Sequence, residues 1–224
     1  MLKEVNFHTR PLTCLNWNKD GQYLASASSD KTCKIGAIEQ SGNMKSIQSI
    51  NLTASCAQVC WSPIDPVRFA LVGDDKAVEL YDVRASRAAS KLTSLGSNLY
   101  SAWSPDGKYL AILNRSDSIV IIDVTTTKQI KKVKFGYEIN ELQWTANSDY
   151  LLVGTAANDS GNIDILHLQN DELHLIDTIP AHASHCYGLK IDNGLKRLAV
   201  GSSDFNLSLW DLGEMVCHHI VPFE

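Results

Sequence analysis

The chain has 224 residues, 44% hydrophobic and 20% charged, with a formal net charge of −5. That composition is ordinary for a folded globular chain of this length and unlike a disordered one. The acidic balance argues against a sequence-independent nucleic-acid binder, which works by neutralising phosphates; a local basic patch stays compatible. No apolar run approaches the roughly 20 residues of a membrane span, and MLKEVNFHTR lacks the apolar centre of a secretory signal. An intracellular protein is expected, with its six cysteines reduced and no disulfide framework.

In chain order, KEVNFH (3–8) reads as a lone amphipathic strand. Five similar segments follow: LTCLNWNKDGQYLASASSDKTCKIGAI (12–38), QVCWSPIDPVRFALVGDDKAVELYDV (58–83), LYSAWSPDGKYLAILNRSDSIVIIDV (99–124), INELQWTANSDYLLVGTAANDSGNIDILHL (139–168) and CYGLKIDNGLKRLAVGSSDFNLSLWDL (186–212). Each gives three strands. Strand a ends at a marker, Trp17, Trp61, Trp103, Trp144 or Ile191, and these markers recur every 41 to 47 residues. A polar turn follows (NKDG, SPIDP, SPDG, TANSD, DNG), of the kind whose Asp-Gly or Asn-Gly tolerates positive φ. Strand b is apolar (YLAS, RFALV, YLAIL, YLLVG, RLAVG), and strand c closes the segment (KIGAI, VELYDV, IVIIDV, IDILHL, LSLWDL). Strands b and c are nearly continuous apolar runs, as expected of strands buried on both faces. The amphipathic stretches KSIQSIN, ASKLTSL, KQIKKVKF, ELHLIDTI and MVCHHIV would each add an outer strand d. The period is that of four-stranded propeller blades.

Trp210-Asp211, Tyr81-Asp82, the SPDG turn at 104–107 and the 22-residue His–Asp spacings of His8/Asp30 and His182/Asp204 resemble WD40 repeats. The resemblance spans essentially the whole chain and implies an all-β WD40 β-propeller with five four-stranded blades. It makes one domain of 1–224, with repeats at about 5–38, 44–83, 86–124, 128–168 and 172–212 and an outer strand at 215–221 completing the fifth. Propellers of this family have seven blades, so the expectation is part of a seven-bladed propeller and an open arc, not a tight five-fold ring. The resemblance also implies a hydrogen-bonded network inside a blade, built here from His8, Ser26 and Asp30, and from His182, Asp204 and Trp210. Gly36 replaces the Trp in the first repeat, and Val200 stands where the fifth would have its Ser. Both networks are therefore expected to be incomplete.

The order of unlike repeats narrows the likeness. A DKT turn (30–32), ELYDVRASRA (79–88), a third repeat without Trp-Asp, KKVKFGYEINELQW (131–144) and AHASHCYGLKID with GSSDFNLSLWDLGEMVCHHI (181–220) resemble the WD40 subunits of THO complexes. That likeness implies a nuclear, non-catalytic scaffold binding other protein subunits in transcription-coupled mRNA processing and export. It implies no cofactor, no membrane and no small-molecule substrate. The alternative is a generic WD40 peptide-binding adaptor, such as the substrate receptor of a ubiquitin ligase.

Residues that could carry chemistry have plainer explanations. Cys217-His218-His219 with His182, His185 and Cys186 lacks the paired spacing of zinc sites. Cys186 with His182 or His185 lacks an orienting group and an oxyanion site. Cys56 and Cys60 read as small buried thiols. Asp30, Asp74, Asp75, Asp117 and Asp204 recur at b–c turns, where Asp binds backbone N–H groups. Lys128, Lys131, Lys132 and Lys134 fit the protection of an outer strand, with contact to RNA or an acidic partner as the sharper reading. GTAANDSGN (154–162) is expected to be a long b–c loop open to recognition. For partner binding the expectation falls on Arg10, Arg115, Tyr137, His185 and Phe205, loop residues of the types enriched at hot spots.

Overall fold

The computed structural model describes residues 7–39, 43–75, 77–85, 87–93, 96–192 and 194–223. Most of the lone strand expected at KEVNFH lies outside them. The described residues form twenty strands and no helix, hence none long and apolar enough to cross a membrane. Sheet one is β1 (Leu12–Trp17), β2 (Tyr23–Ser28), β3 (Thr32–Ile38) and β4 (Met44–Asn51). Sheet two is β5 (Cys56–Trp61), β6 (Arg68–Gly73), β7 (Val78–Asp82) and β8 (Ser90–Leu92). Sheet three is β9 (Asn98–Trp103), β10 (Tyr109–Asn114), β11 (Ser118–Asp123) and β12 (Lys128–Lys134). Sheet four is β13 (Glu138–Trp144), β14 (Tyr150–Ala157), β15 (Ser160–Gln169) and β16 (Glu172–His182). Sheet five is β17 (Cys186–Ile191), β18 (Arg197–Ser202), β19 (Asn206–Asp211) and β20 (Val216–Pro222). Each sheet is an antiparallel meander of four consecutive strands.

The apolar runs are explained by how the sheets stack. Along β10, Leu110 and Ile112 belong to the cluster shared with sheet two, while Ala111 and Leu113 belong to the cluster shared with sheet four. A strand that alternates between two apolar seams needs an apolar residue at every position. Four clusters result, one in each seam between neighbouring sheets.

Each marker tryptophan after the first reaches back across its seam. The indole N–H groups of Trp61, Trp103 and Trp144 donate to the carbonyls of Asn16, Cys60 and Ala102, at 2.9, 3.1 and 3.0 Å. Those acceptors are the residues immediately before the marker in the preceding sheet. The Ile191 side chain has no donor, and the fourth seam is tied instead by the Leu189 backbone N–H donating to Glu141 Oε2 at 3.0 Å.

The larger strand contacts run β1 to β5, β5 to β9, β9 to β13 and β13 to β17, and do not return from β17 to β1 among the described residues. Trp17 is 49% exposed, against 6% for Trp61. The chain is an open row of blades, a partial β-propeller.

The fourth repeat departs from expectation. GTAANDSGN is not a long loop: β14 and β15 run through it, joined by Asn158-Asp159 alone, at φ 51° and 61°. Two consecutive positive φ values make the two-residue hairpin turn that follows strand twist. Asn and Asp tolerate that region, so the strands on either side stay paired.

Candidate functional site

Because each sheet is a meander, its b–c turn and the d–a connection into it lie on one face of the row. That face carries all five residues expected to bind partners, but with unequal freedom. Arg10, in the connection before β1, is exposed. Its carbonyl accepts from Ser28 Oγ at 3.1 Å, which holds the backbone while the guanidinium stays outside. Arg115, in the β10–β11 turn, is also exposed and reaches Asp74 of the β6–β7 turn, Nε to Oδ1 at 3.4 Å. Tyr137 is half-buried and donates its hydroxyl to Asp164, a buried carboxylate that also accepts from Thr178 Oγ1 at 2.8 Å. Burial and the Asp164 bond both push the Tyr137 hydroxyl pKa up. His185 lies edge-on to Tyr187, ring centroids 6.0 Å apart.

Phe205 is the most exposed large apolar side chain described, at 75%, and it sits at φ 63° in the β18–β19 turn. The equivalent turn positions Lys31 and Asp117 are also left-handed, at 65° and 52°. A bulky residue in that region costs on the order of 1 kcal/mol. The turn is held by Asn206 N–H to Asp204 Oδ1 at 3.0 Å and by Phe223 N–H to the Phe205 carbonyl at 2.8 Å. With Tyr187 and Phe223, both exposed, it makes an aromatic corner at the fifth blade. Sequence reading missed Tyr187. Cys186 pairs with Ser202 and Gly188 with Gly201, so Tyr187 is the extra residue of a bulge, and bulges re-aim side chains.

Beneath this face sit the blade networks. In the fifth blade, His182 Nδ1 meets Asp204 at 3.0 Å, His182 Nε2 meets Ser208 Oγ at 2.7 Å, and Trp210 Nε1–H donates to the same Ser208 oxygen at 2.6 Å. The network is complete, correcting the expectation of a missing serine. Val200 and Ser208 are direct cross-strand partners, so the hydroxyl has moved one strand over in the same register. The partners fix the tautomer: Nδ1–H donates to Asp204, and Nε2 accepts from Ser208.

In the first blade, His8 contacts Asp30 at 3.1 Å and Ser26 Oγ at 2.8 Å, with Thr32 Oγ1 donating to Asp30 at 2.6 Å. No indole completes it. The hydroxyl of Ser26 also faces the Lys34 carbonyl at 3.2 Å. A Cβ on Gly36 would lie 2.8 Å from Met44 and 3.2 Å from Phe7, so those side chains fill the space a tryptophan would take. Burial pushes the Asp30 carboxyl up, but the Thr32 hydroxyl, the Thr9 N–H and His8 outweigh it and leave the pKa well below the ordinary range. Asp204 is lowered in the same way, burial opposing and His182 with the Asn206 N–H prevailing.

These bonds also settle what the Cys and His residues are doing. Both ring nitrogens of His182 are engaged inside the blade. Burial pushes the Cys186 thiol up to about 12, which leaves it a poor nucleophile. Cys56 is raised likewise, to about 12. Among the described residues no three His, Cys, Asp or Glu side chains converge to hold a metal. The turn aspartates Asp30, Asp75 and Asp204 each accept the N–H two residues on. Of the basic stretch on the outer strand β12, Lys131 pairs with Glu172 of the next blade.

The WD domain G-beta repeat family matches residues 1–35 and 173–211, and the anaphase-promoting complex subunit 4 WD40 domain matches 100–147. THO complex subunit 3 of Arabidopsis thaliana is 34% identical over 217 residues, 96% of this chain and 67% of its own length. The chain belongs to the WD40 family, as a relative of THO complex subunit 3. WD repeat-containing protein AAC3 of Dictyostelium discoideum is 29% identical over 92% of the chain, which spans 47% of that protein. Protein TEX1 of Saccharomyces cerevisiae is 22% identical over 96% of the chain and 56% of its own length.

Proposed function

We propose that the protein is a non-catalytic scaffold subunit of a nuclear THO-type complex, assembling partner subunits that act in mRNA processing and export. The likeness to THO complex subunit 3 over 96% of the chain carries the reading. The structure supports its general part: polar side chains with catalytic chemistry are spent inside blades, while the loop face presents Arg10 and an aromatic corner around Phe205. A fold of this kind supports many functions, so the partner has to come from the site and be tested there. Contact is assigned first to Arg10 and Phe205, whose side chains stand exposed, and then to Arg115, Tyr137 and His185 of the same loop face. Direct contact of Lys132 and its neighbours with RNA is not needed for this role.

Affinity purification of the protein from nuclear extract, followed by mass spectrometry, tests the reading. The other THO subunits are expected as the main co-purifying proteins. Recovery of ubiquitin-ligase subunits in their place would overturn it in favour of an adaptor. Arg10→Ala with Phe205→Ala is expected to weaken capture by at least tenfold while leaving thermal unfolding unchanged, since hot-spot truncations cost about 2 kcal/mol or more.

A further inference from the structure

Protection of an outer strand would explain the four lysines of β12, but the other outer strands do not follow that rule. β16 has eleven residues and β20 has seven, and neither carries a lysine or an arginine. β16 also exposes Leu175 and Ile176, at 52% and 57%. If lysine were placed to repel stray strands, β16 would need it before β12. The lysines lie instead in one stretch, 125–137, with four positive charges and no carboxylate, in a chain of net charge −5.

Within the molecule, Lys131 is engaged by Glu172 of the next blade. Lys128, Lys132 and Lys134 are exposed, and none has an ion-pair partner among the described residues. Register sets their sides. Val120 belongs to the seam between sheets two and three, and Lys132 is its direct cross-strand partner. Lys134 pairs with Ser118, two residues along, and so shares that face. Gln129, paired with Ile122, completes the exposed row on the same side. There the neighbouring outer strand is β8, three residues long. Lys128 stands at the start of the same edge, on the opposite face. Ile130 and Val133, the apolar residues of β12, pack on the core of the seam with sheet four. The open side of β12 therefore presents charge without an apolar anchor.

We propose that the outer edge of β12 binds the phosphate backbone of a single-stranded nucleic acid, through Lys132 and Lys134 with Lys128 at its start. Alternate residues of a strand lie about 7 Å apart, close to the step between phosphates in an extended single strand. From Lys128 to Lys134 the edge runs roughly 20 Å. Lysine meets phosphate as a point charge and needs no shaped pocket. A protein partner is held mainly by a few anchors, most often aromatic or arginine, seated in desolvated pockets, and this row offers no pocket for one. Contacts of this kind neutralise phosphates and carry no sequence information. They are independent of the scaffold role assigned to the loop face.

The test titrates the whole chain into fluorescein-labelled oligo-uridine of about 20 nucleotides and reads fluorescence anisotropy. Binding is expected at about 50 mM KCl and should weaken with salt, the logarithm of affinity falling against that of salt with a slope of about −2 for three phosphates. Lys132→Glu with Lys134→Glu is expected to weaken binding at least tenfold. Lys132→Gln with Lys134→Gln removes the charge without adding repulsion and is expected to make the slope shallower by about 1.4. Lys19→Glu with Lys196→Glu, at two exposed turn positions, changes the net charge as much as the first pair and is expected to leave affinity within about twofold. Circular dichroism and thermal unfolding confirm that each variant is folded. Oligo-thymidine of the same length is expected to bind equally, since no contact reaches a 2′-hydroxyl. No binding at low salt, a β12 variant that binds like the unaltered chain, an equal loss in the Lys19 and Lys196 control, or a preference above tenfold between the two oligonucleotides would each overturn the proposal. Tighter binding of a labelled oligoglutamate than of oligo-uridine would overturn it in favour of an acidic protein partner.

Discussion

At the scale of single residues, the fifth-blade network shows how a polar chain can be fully satisfied in an apolar setting. Ser208 accepts from Trp210 and donates to His182, and His182 donates to Asp204. Ser208→Ala removes the central link and leaves two buried groups unpaired, an expected loss of about 1–3 kcal/mol by urea unfolding. Ser26→Ala in the first blade is expected to cost less, because no indole depends on it. The His–Asp pairs were legible from their 22-residue spacing together with the WD40 resemblance. Ser208 was not: a serine in strand c reads as ordinary until register places it opposite Val200. Acid dependence follows from the same carboxylates. Asp30 and Asp204 have pKa values below their ordinary 3.8 in the folded chain. The stability they contribute is therefore present above that value and is lost as pH falls below about 4. Asp30→Asn and Asp204→Asn are expected to be less stable at pH 7 and to show a flatter decline between neutral and acid pH in thermal scans.

At the scale of strands and turns, the sequence showed strands b and c clearly because both faces are apolar. Strand a was harder. Every strand a carries a bulge near its start, visible as register shifts at Leu12/Cys14, Cys56/Gln58, Leu113/Asn114, Ile139/Glu141 and Cys186/Gly188. A bulge changes which side a residue faces without leaving a mark in hydrophobic periodicity, which is why Tyr187 went unread. GTAANDSGN was misread for a related reason: small and polar residues suggest a loop, yet cross-strand pairing persists to Ala157 and Ser160. Small residues there serve close approach. A Cβ on Gly161 would lie 2.1 Å from the Ser184 carbonyl oxygen and 2.7 Å from Cys186 Sγ. Gly161→Ala is expected to cost about 1–3 kcal/mol or more in denaturant unfolding, since the backbone of the fifth blade would have to shift.

At the scale of the whole molecule, stability is distributed along a row of seams. Trp61→Phe and Trp144→Phe each remove one indole bridge, from the first and third seams, at an expected cost of about 0.5–1.5 kcal/mol. Their effects are expected to add within about 0.5 kcal/mol in a double-mutant cycle, because the two seams have no residues in common. Five repeats were legible from the marker spacing, and the open arc was an implication of the family resemblance. The partition into separate seams has a consequence for how such a chain diverges. The space beside Gly36 is filled by Met44 and Phe7, and the hydroxyl opposite Val200 comes from Ser208, each within its own blade. Repairs stay local, so each repeat is free to wander from its siblings, and a lineage can keep the architecture while erasing the very motifs by which it is recognised.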